Sequence, residues 1–573
     1  MASYENEKPG NRQALIITGF ILFVVALGRI ATNEFTERDD GILIARNPNF
    51  NPPTISSVLT FAFPKNALIH LYIPLTSFVW GILAWLGYLH SPDDRGSHLN
   101  PAVFHGASLA FHLASTVLVF LCIDRILSID RLRRRFWPAW VGAMVFAIHP
   151  LQVESVAWAS GLKDVLSGFF ALAALYSFLW FRSIQSGAAG WSIWRWYALA
   201  TTCFVLSMLS KPAAVAVPIG LVVIDRFCFR TRLSASFRTF LPWALLALPI
   251  YLIARNVQPV GWRDLPPPSI FIRPLIAADA LAFYVGKLIA PFDLRYDYGR
   301  TPATVLATAL PYWDWIVPIG IFLICLVAKQ RTPLMAYLFA IAMLLPVLGF
   351  VPFGSQDFST VADHYLYLPM FAVGLVIAAI LYRFPGPFSS ALAWLAIAGC
   401  CVQSFCTTGV WADDEHLARN VLAIDPNNWD ALNDLGANEC NSGQIAEGVA
   451  LFQKSLALYP RYGTARKNLA DAYFAQNKPR EAFDQLQLMM RNYRLENGFD
   501  PSRYAQTQLS YASMMLKHDL PDLAIIACTA ALAEDPHRPE ALKMLAECQR
   551  RIRSNGNAST RSTTATGPSV HDH

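Results

Sequence analysis

The chain has 573 residues, of which 54% are hydrophobic and only 15% charged, with a mean hydropathy of +0.35. That balance excludes a water-soluble globular protein over most of the length, and a net charge of +6 contributed largely by Arg in short loops excludes a dedicated nucleic-acid-binding face. Ten cysteines with no CxxC, most of them in apolar runs (Cys203, Cys325, Cys400, Cys401, Cys406), exclude a disulfide framework.

In chain order, the apolar run 14–28 has no small-residue cleavage site and follows a polar start, so it is expected to stay as a first membrane span. Further spans are expected at 103–124, 136–150, 164–182, 194–210, 212–225, 239–254, 312–328, 333–352, 366–382 and 389–408, about eleven in all. Arg125, Arg131, Arg133, Arg134 and Arg135, and then Arg226, Arg230, Arg232 and Arg238, form basic loops that belong in the cytoplasm. The amino terminus is then inside, and 29–102, His149 to Lys163, Lys211 and 255–311 are outside. The segment 274–292 is apolar but carries Asp279 and Lys287; it is expected to lie along the outer interface, which keeps Lys329, Arg331 and Arg383 inside.

From Trp411 the pattern becomes amphipathic and repeats. Leu435-Gly436 is matched by Leu469-Ala470 and Asp425-Pro426 by Tyr459-Pro460, each 34 residues on, the period of tetratricopeptide repeats. Units at 429–460, 461–493 and 503–536 with capping half-units at 414–425 and 538–552 predict an outer α-solenoid, because one helix pair cannot bury its own apolar face. The expected organisation is all-α: a polytopic transmembrane helix bundle over 1–410 with outer loop 29–102, a repeat domain over 411–553, and a disordered Ser/Thr/Gly-rich tail over 554–573.

Chemistry is sought where charges sit near membrane depth, because they are costly there. In the run Asn33 to Gly41, Asp39 and Asp40 form a carboxylate pair in which one can accept a hydroxyl proton while the other orients the site; a solvated acidic loop is the bland alternative. In the run from His149 to Trp158 and on to Lys163-Asp164, polar groups recur on an otherwise apolar segment. His149, Glu154 and Lys163 are therefore expected to face protein or a wet cavity, either as a satisfied network or as a site. Asp363, His364 and Tyr365 form a third polar run. Lys211 and Lys287 add cations that could hold a phosphate or simply anchor at the interface. There is no P-loop, GxSxG, HExxH or metal-ligand spacing, and His571-Asp572-His573 sits in the tail, so no metal or other cofactor is expected.

The ordered set Asp39-Asp40 and Asn47-Pro48, Pro74-Leu75-Thr76, Phe104-His105 with His112, His149 to Trp158 with Lys163 to Leu166, Ser210-Lys211-Pro212, Asp225, Tyr284 with Lys287, and Val361 to Pro369, followed by the repeats, resembles the transmembrane and tetratricopeptide-repeat-containing O-mannosyltransferases and their bacterial relatives, within the GT-C class. The resemblance covers nearly the whole chain. It implies an inverting transfer of sugar, mannose by the family's name, from a polyprenyl-phosphate donor to a hydroxyl, expected on protein, at the outer face of a membrane, here a bacterial inner membrane. It assigns the general base to Asp39 with Asp40 in support, and donor or phosphate contacts to His149, Glu154, Lys163, Lys211, Lys287, His364 and Tyr365. The segment 73–89 would frame the donor entrance with 274–292, and the repeats would offer a groove to a polypeptide acceptor. The chain departs from the family where Arg often stands in place of His364, and at Gly161-Leu162-Lys163-Asp164. The competing expectation is a non-catalytic anchored scaffold that recruits envelope proteins through its repeats; about eleven spans and outward-facing carboxylates would serve no purpose in an anchor.

Overall fold

The computed structural model describes residues 9–67, 71–93, 96–129, 136–185, 191–257, 268–327, 329–494 and 500–563. The basic residues Arg131, Arg133, Arg134 and Arg135 and the terminal His571 and His573 lie outside them. The described residues are helical and contain no strand, only two isolated bridges, as the all-α expectation requires. They fall into two compact units, Met1–Asn420 and Val421–His573.

In the first unit, five helices are long and apolar enough to cross a membrane: Gly10–Thr32, Pro101–Ile129, Ala159–Gln185, Leu233–Val257 and Pro387–Val410. Phe136–Ile148 and Pro150–Ala157 make a sixth if this pair, bent by 51°, is one span. Four shorter apolar helices accompany them, Pro74–Leu86, Pro311–Val327, Arg331–Val347 and Met370–Arg383. The reason that helix length falls short of the expected apolar runs is proline, which donates no backbone hydrogen bond. Pro212 opens a tight turn that delays the helix expected at 212–225 to Val217, and Pro369 delays the last-but-one helix to Met370. Arg273–Ile289 is a 17-residue helix that buries Ile276, Ala277, Asp279 and Tyr284 on one side.

The helices form one continuous apolar core. Phe136–Ile148 and Met370–Arg383 approach so closely that a Cβ on Gly142 would stand 2.4 Å from the Gly374 carbonyl oxygen, the small-residue contact that lets membrane helices pack backbone to backbone. Buried ion pairs tie the polar ends: Arg182 to Asp225 at 2.6 Å, and Arg300 to both oxygens of Asp279 at 2.6 Å. A second core lies under the loop after the first helix, around Phe35, Leu43, Phe50, Trp80, Phe104 and Leu162.

In the second unit, helix pairs succeed one another: Trp429–Asn441 with Ile445–Leu458, Gly463–Ala475 with Pro479–Arg494, and Pro501–Lys517 with Pro521–Glu534, followed by Pro539–Thr563. That last helix continues to Thr563, into the stretch expected to be disordered. Within the first pair Gly436 and Gly448 allow contact at backbone distance, since a Cβ on Gly448 would meet the Gly436 oxygen at 2.7 Å. Polar bonds fix the register between units of the repeat: Tyr462 Oη donates to Asp430 Oδ1 at 2.6 Å, and Asn468 Nδ2 to Asn433 Oδ1 at 2.9 Å.

Candidate active site

The loop after the first helix turns back on itself at Asp39-Asp40 and closes in a single π-turn, Gly41–Ala45, in which Arg46 N donates to the Gly41 oxygen at 2.8 Å. Asp40 is wholly buried. Its Oδ2 accepts from Thr36 N at 3.1 Å and Thr36 Oγ1 at 3.0 Å; its Oδ1 accepts from Ser160 N at 2.7 Å and Ser160 Oγ at 2.5 Å. Burial pushes its carboxyl up from the usual range, and the four donors pull it back only in part. Asp40 therefore clamps the loop to the turn 159–161. Asp39 projects the other way, with its side chain 42% exposed and Oδ2 4.0 Å from Lys163 Nζ, leaving an accessible carboxylate beside a fixed cation.

Lys163 begins the helix Leu162–Gln185. Its Nζ donates to the Ser160 oxygen at 3.0 Å and lies 4.1 Å from the Trp158 ring centroid, and only 7% of its side chain is exposed. It is held against Asp39 and an indole face rather than presented outward. One residue on, Asp164 is paired with Lys211, which extends from the proline break between two helices and lies 5.6 Å from the Tyr365 ring centroid.

Across Trp158 lies His364, with ring centroids 5.8 Å apart. Its Nδ1 is 2.8 Å from Glu154 Oε1, and its backbone N–H donates to Glu154 Oε2 at 3.1 Å. Asp363 accepts from Tyr298 Oη at 2.9 Å, and Tyr284 Oη receives the Ala362 N–H at 3.2 Å. Burial, then the facing Glu154, push the Asp363 carboxyl well above the carboxylate range, and burial likewise raises the Tyr298 and Tyr365 hydroxyls.

The structure thus brings Asp39, Asp40, Glu154, Lys163, Lys211, His364 and Tyr365 into one contiguous group. Two expected phosphate contacts take another form. His149 uses both ring nitrogens, Nδ1 accepting from Leu151 N at 3.3 Å and Nε2 bonding the Leu288 oxygen at 3.3 Å, so neither is left for a ligand. Glu154 has both carboxyl oxygens spent on His364, so it orients that residue. Lys287 donates to the oxygens of Phe292 at 2.5 Å and Asp293 at 3.4 Å, lies 5.6 Å from the Tyr298 ring and acts on Asp363 by its charge. Sequence reasoning missed Ser160 and Tyr298. Ser160 sits between the recognisable Trp158 and Lys163, and its position was the available signal; Tyr298 carries none.

The fold and site define a polytopic membrane protein that gathers carboxylates, lysines and a histidine behind the loop that follows its first span. No family model matches the chain. Its curated relatives are protein O-mannosyl-transferases: F38B6.6 of Caenorhabditis elegans, 23% identical over 406 residues, which takes in 68% of this chain and 54% of that protein, and TMTC1 and TMTC2 of Homo sapiens, 24% identical over 77% of this chain and 26% identical over 38%, covering 55% and 27% of those proteins. The chain spans about half the length of the first two. Among solved structures, the archaeal oligosaccharyltransferase AglB from Archaeoglobus fulgidus, in complex with an inhibitory peptide and a dolichol-phosphate, is 13% identical with a TM-score of 0.37, covering 78% of this chain and 60% of AglB. MamA is 18% identical with a TM-score of 0.18, covering 27% of this chain and 94% of MamA. Likenesses of that extent carry nothing over to this chain.

Proposed function

We propose that this chain is an inverting membrane glycosyltransferase that moves a sugar from a polyprenyl-phosphate donor to a hydroxyl of a protein acceptor, at the outer face of a bacterial inner membrane. The observation that carries this reading is the pairing of a clamped, buried Asp40 with an accessible Asp39 beside Lys163. In the step, Asp39 takes the acceptor hydroxyl proton while that oxygen bonds the anomeric carbon. The bond from that carbon to the phosphate oxygen breaks, and its electron pair leaves with the polyprenyl phosphate. A lipid phosphate is a competent leaving group, so the chain's part is to align the acceptor and stabilise the charge that moves onto phosphate. Lys211 and His364, each partly exposed, would do that. Mannose is the sugar that the relatives' names favour, and the helix pairs of the second unit would hold the polypeptide acceptor.

The test offers the purified chain a panel of polyprenyl-phosphate sugars with a Ser/Thr-rich peptide and follows release of polyprenyl phosphate together with sugar on the peptide. Stoichiometric release and transfer are expected from one donor. Release from none of the panel would reject the transferase.

A further inference from the structure

Around Trp158 and Tyr365 the charged groups include three carboxylates, Asp39, Glu154 and Asp164, and two lysines, Lys163 and Lys211. Each lysine has its carboxylate: Lys163 stands 4.0 Å from Asp39, and Lys211 is bonded to Asp164. Among the described residues Glu154, its side chain 5% exposed, is bonded by His364, which meets it twice, by Nδ1 at 2.8 Å and by the backbone N–H at 3.1 Å. With a neutral imidazole Glu154 is the carboxylate of this group whose partner carries no charge, an unfavourable neighbour for a phosphate. A second proton on the ring gives Glu154 a cationic partner. Because a carboxylate only accepts, Nδ1 carries a proton already, and the incoming one goes to Nε2.

We propose that Glu154 and His364 form a protonation-linked phosphate ligand: the phosphate of the lipid donor binds together with one proton, taken from solvent onto His364 Nε2, while Glu154 keeps the ring oriented and its charge balanced. This rests on the donor reading above. Glu154 acts as a positioning residue, and His364 touches the phosphate. Beside them the buried Nε1 of Trp158 has no partner among the described residues and can donate to the same anion.

The other ionisable groups about His364 do not supply this proton. Asp164 and Lys211 neutralise one another. Tyr284, Tyr298 and Tyr365 have hydroxyls raised by burial, and Asp363 is raised well above the carboxylate range by burial and by Glu154. His149 has both nitrogens bonded, and Lys287 is tied to two carbonyls.

The experiment measures binding of undecaprenyl phosphate, and separately of inorganic phosphate, to the detergent-purified full chain between pH 6 and 8, with calorimetry in two buffers of different ionisation heat to count protons. The wild type is expected to bind the lipid roughly tenfold more weakly per pH unit at the alkaline end, with uptake of about one proton. His364→Arg is expected to bind tightly and His364→Gln weakly, each keeping only the pH dependence and proton exchange of the phosphate's own second ionisation; Glu154→Gln should shift the wild-type profile to lower pH. Flat binding by the wild type, or an unchanged slope in His364→Gln, would overturn the dyad and leave the donor reading standing. A His364-dependent slope with inorganic phosphate alone would overturn the lipid assignment. Failure to bind the lipid at any pH, in the wild type and in His364→Arg, would overturn the donor reading itself.

Discussion

Replacing Asp40 by Asn keeps the shape of a wholly buried side chain and changes what it can accept. Four hydrogen atoms converge on the carboxylate, two from Thr36 and two from Ser160. An amide has one oxygen, so its NH2 must face either the Thr36 pair or the Ser160 pair. The hydroxyl of that pair can rotate away, but the backbone N–H cannot, and a buried N–H without its acceptor costs about 1–3 kcal/mol. Against this, the amide escapes the desolvation that raises the Asp40 carboxyl. The two terms partly cancel, and the net change in stability should be under about 2 kcal/mol. Geometry has no such compensation. The clamp between 36–40 and 159–161 loosens, and a shift of about 1 Å at a reacting carboxylate costs on the order of 100-fold in rate. Asp40→Asn is therefore expected to keep a thermal midpoint within a few degrees of wild type in detergent while sugar transfer falls roughly 100-fold. Wild-type transfer rates in a folded Asp40→Asn protein would refute the clamp, as would unfolding of the variant.

Other perturbations separate stability from chemistry. Because the Asp40 carboxyl is raised in the folded chain, its contribution to stability is full below the ordinary carboxylate value near 3.9 and is lost as pH rises through the folded value. The thermal midpoint of Asp40→Asn relative to wild type should accordingly climb as pH rises above about 4. Arg300→Met leaves the buried Asp279 carboxylate without its bidentate partner, and should destabilise the first unit by about 3–5 kcal/mol, read as a lower midpoint. Gly142→Ala forces apart two helices in backbone contact and should cost about 1–3 kcal/mol in the same assay. In the second unit, Phe452→Ala empties a fully buried position and should lower its unfolding midpoint in the full chain by the equivalent of about 3–5 kcal/mol.

How much of this was legible in the sequence depends on range. The repeat helices follow from a 34-residue interval and from local rules, since Asn428 caps Trp429–Asn441 and Pro479, Pro501, Pro521 and Pro539 each open a helix. Membrane segments are readable as apolar runs, but their lengths as helices are not, because Pro212 and Pro369 move the ends inward. At the site, residue types were legible and partners were not. Asp40 and Ser160 are 120 positions apart, and Glu154 and His364 are 210 apart; no local pattern encodes such pairings. The same distance hid the engagement of His149 by Leu288.

The most direct measurement compares transfer of labelled sugar from a polyprenyl-phosphate donor by wild-type, Asp39→Asn and Asp39→Glu chains at matched levels in the membrane. Loss of transfer by at least about 100-fold in Asp39→Asn, with partial return in Asp39→Glu and with the lipid phosphate still bound, is the predicted result. Transfer by Asp39→Asn at the wild-type rate would contradict the assignment of the base and, with it, the account of the site.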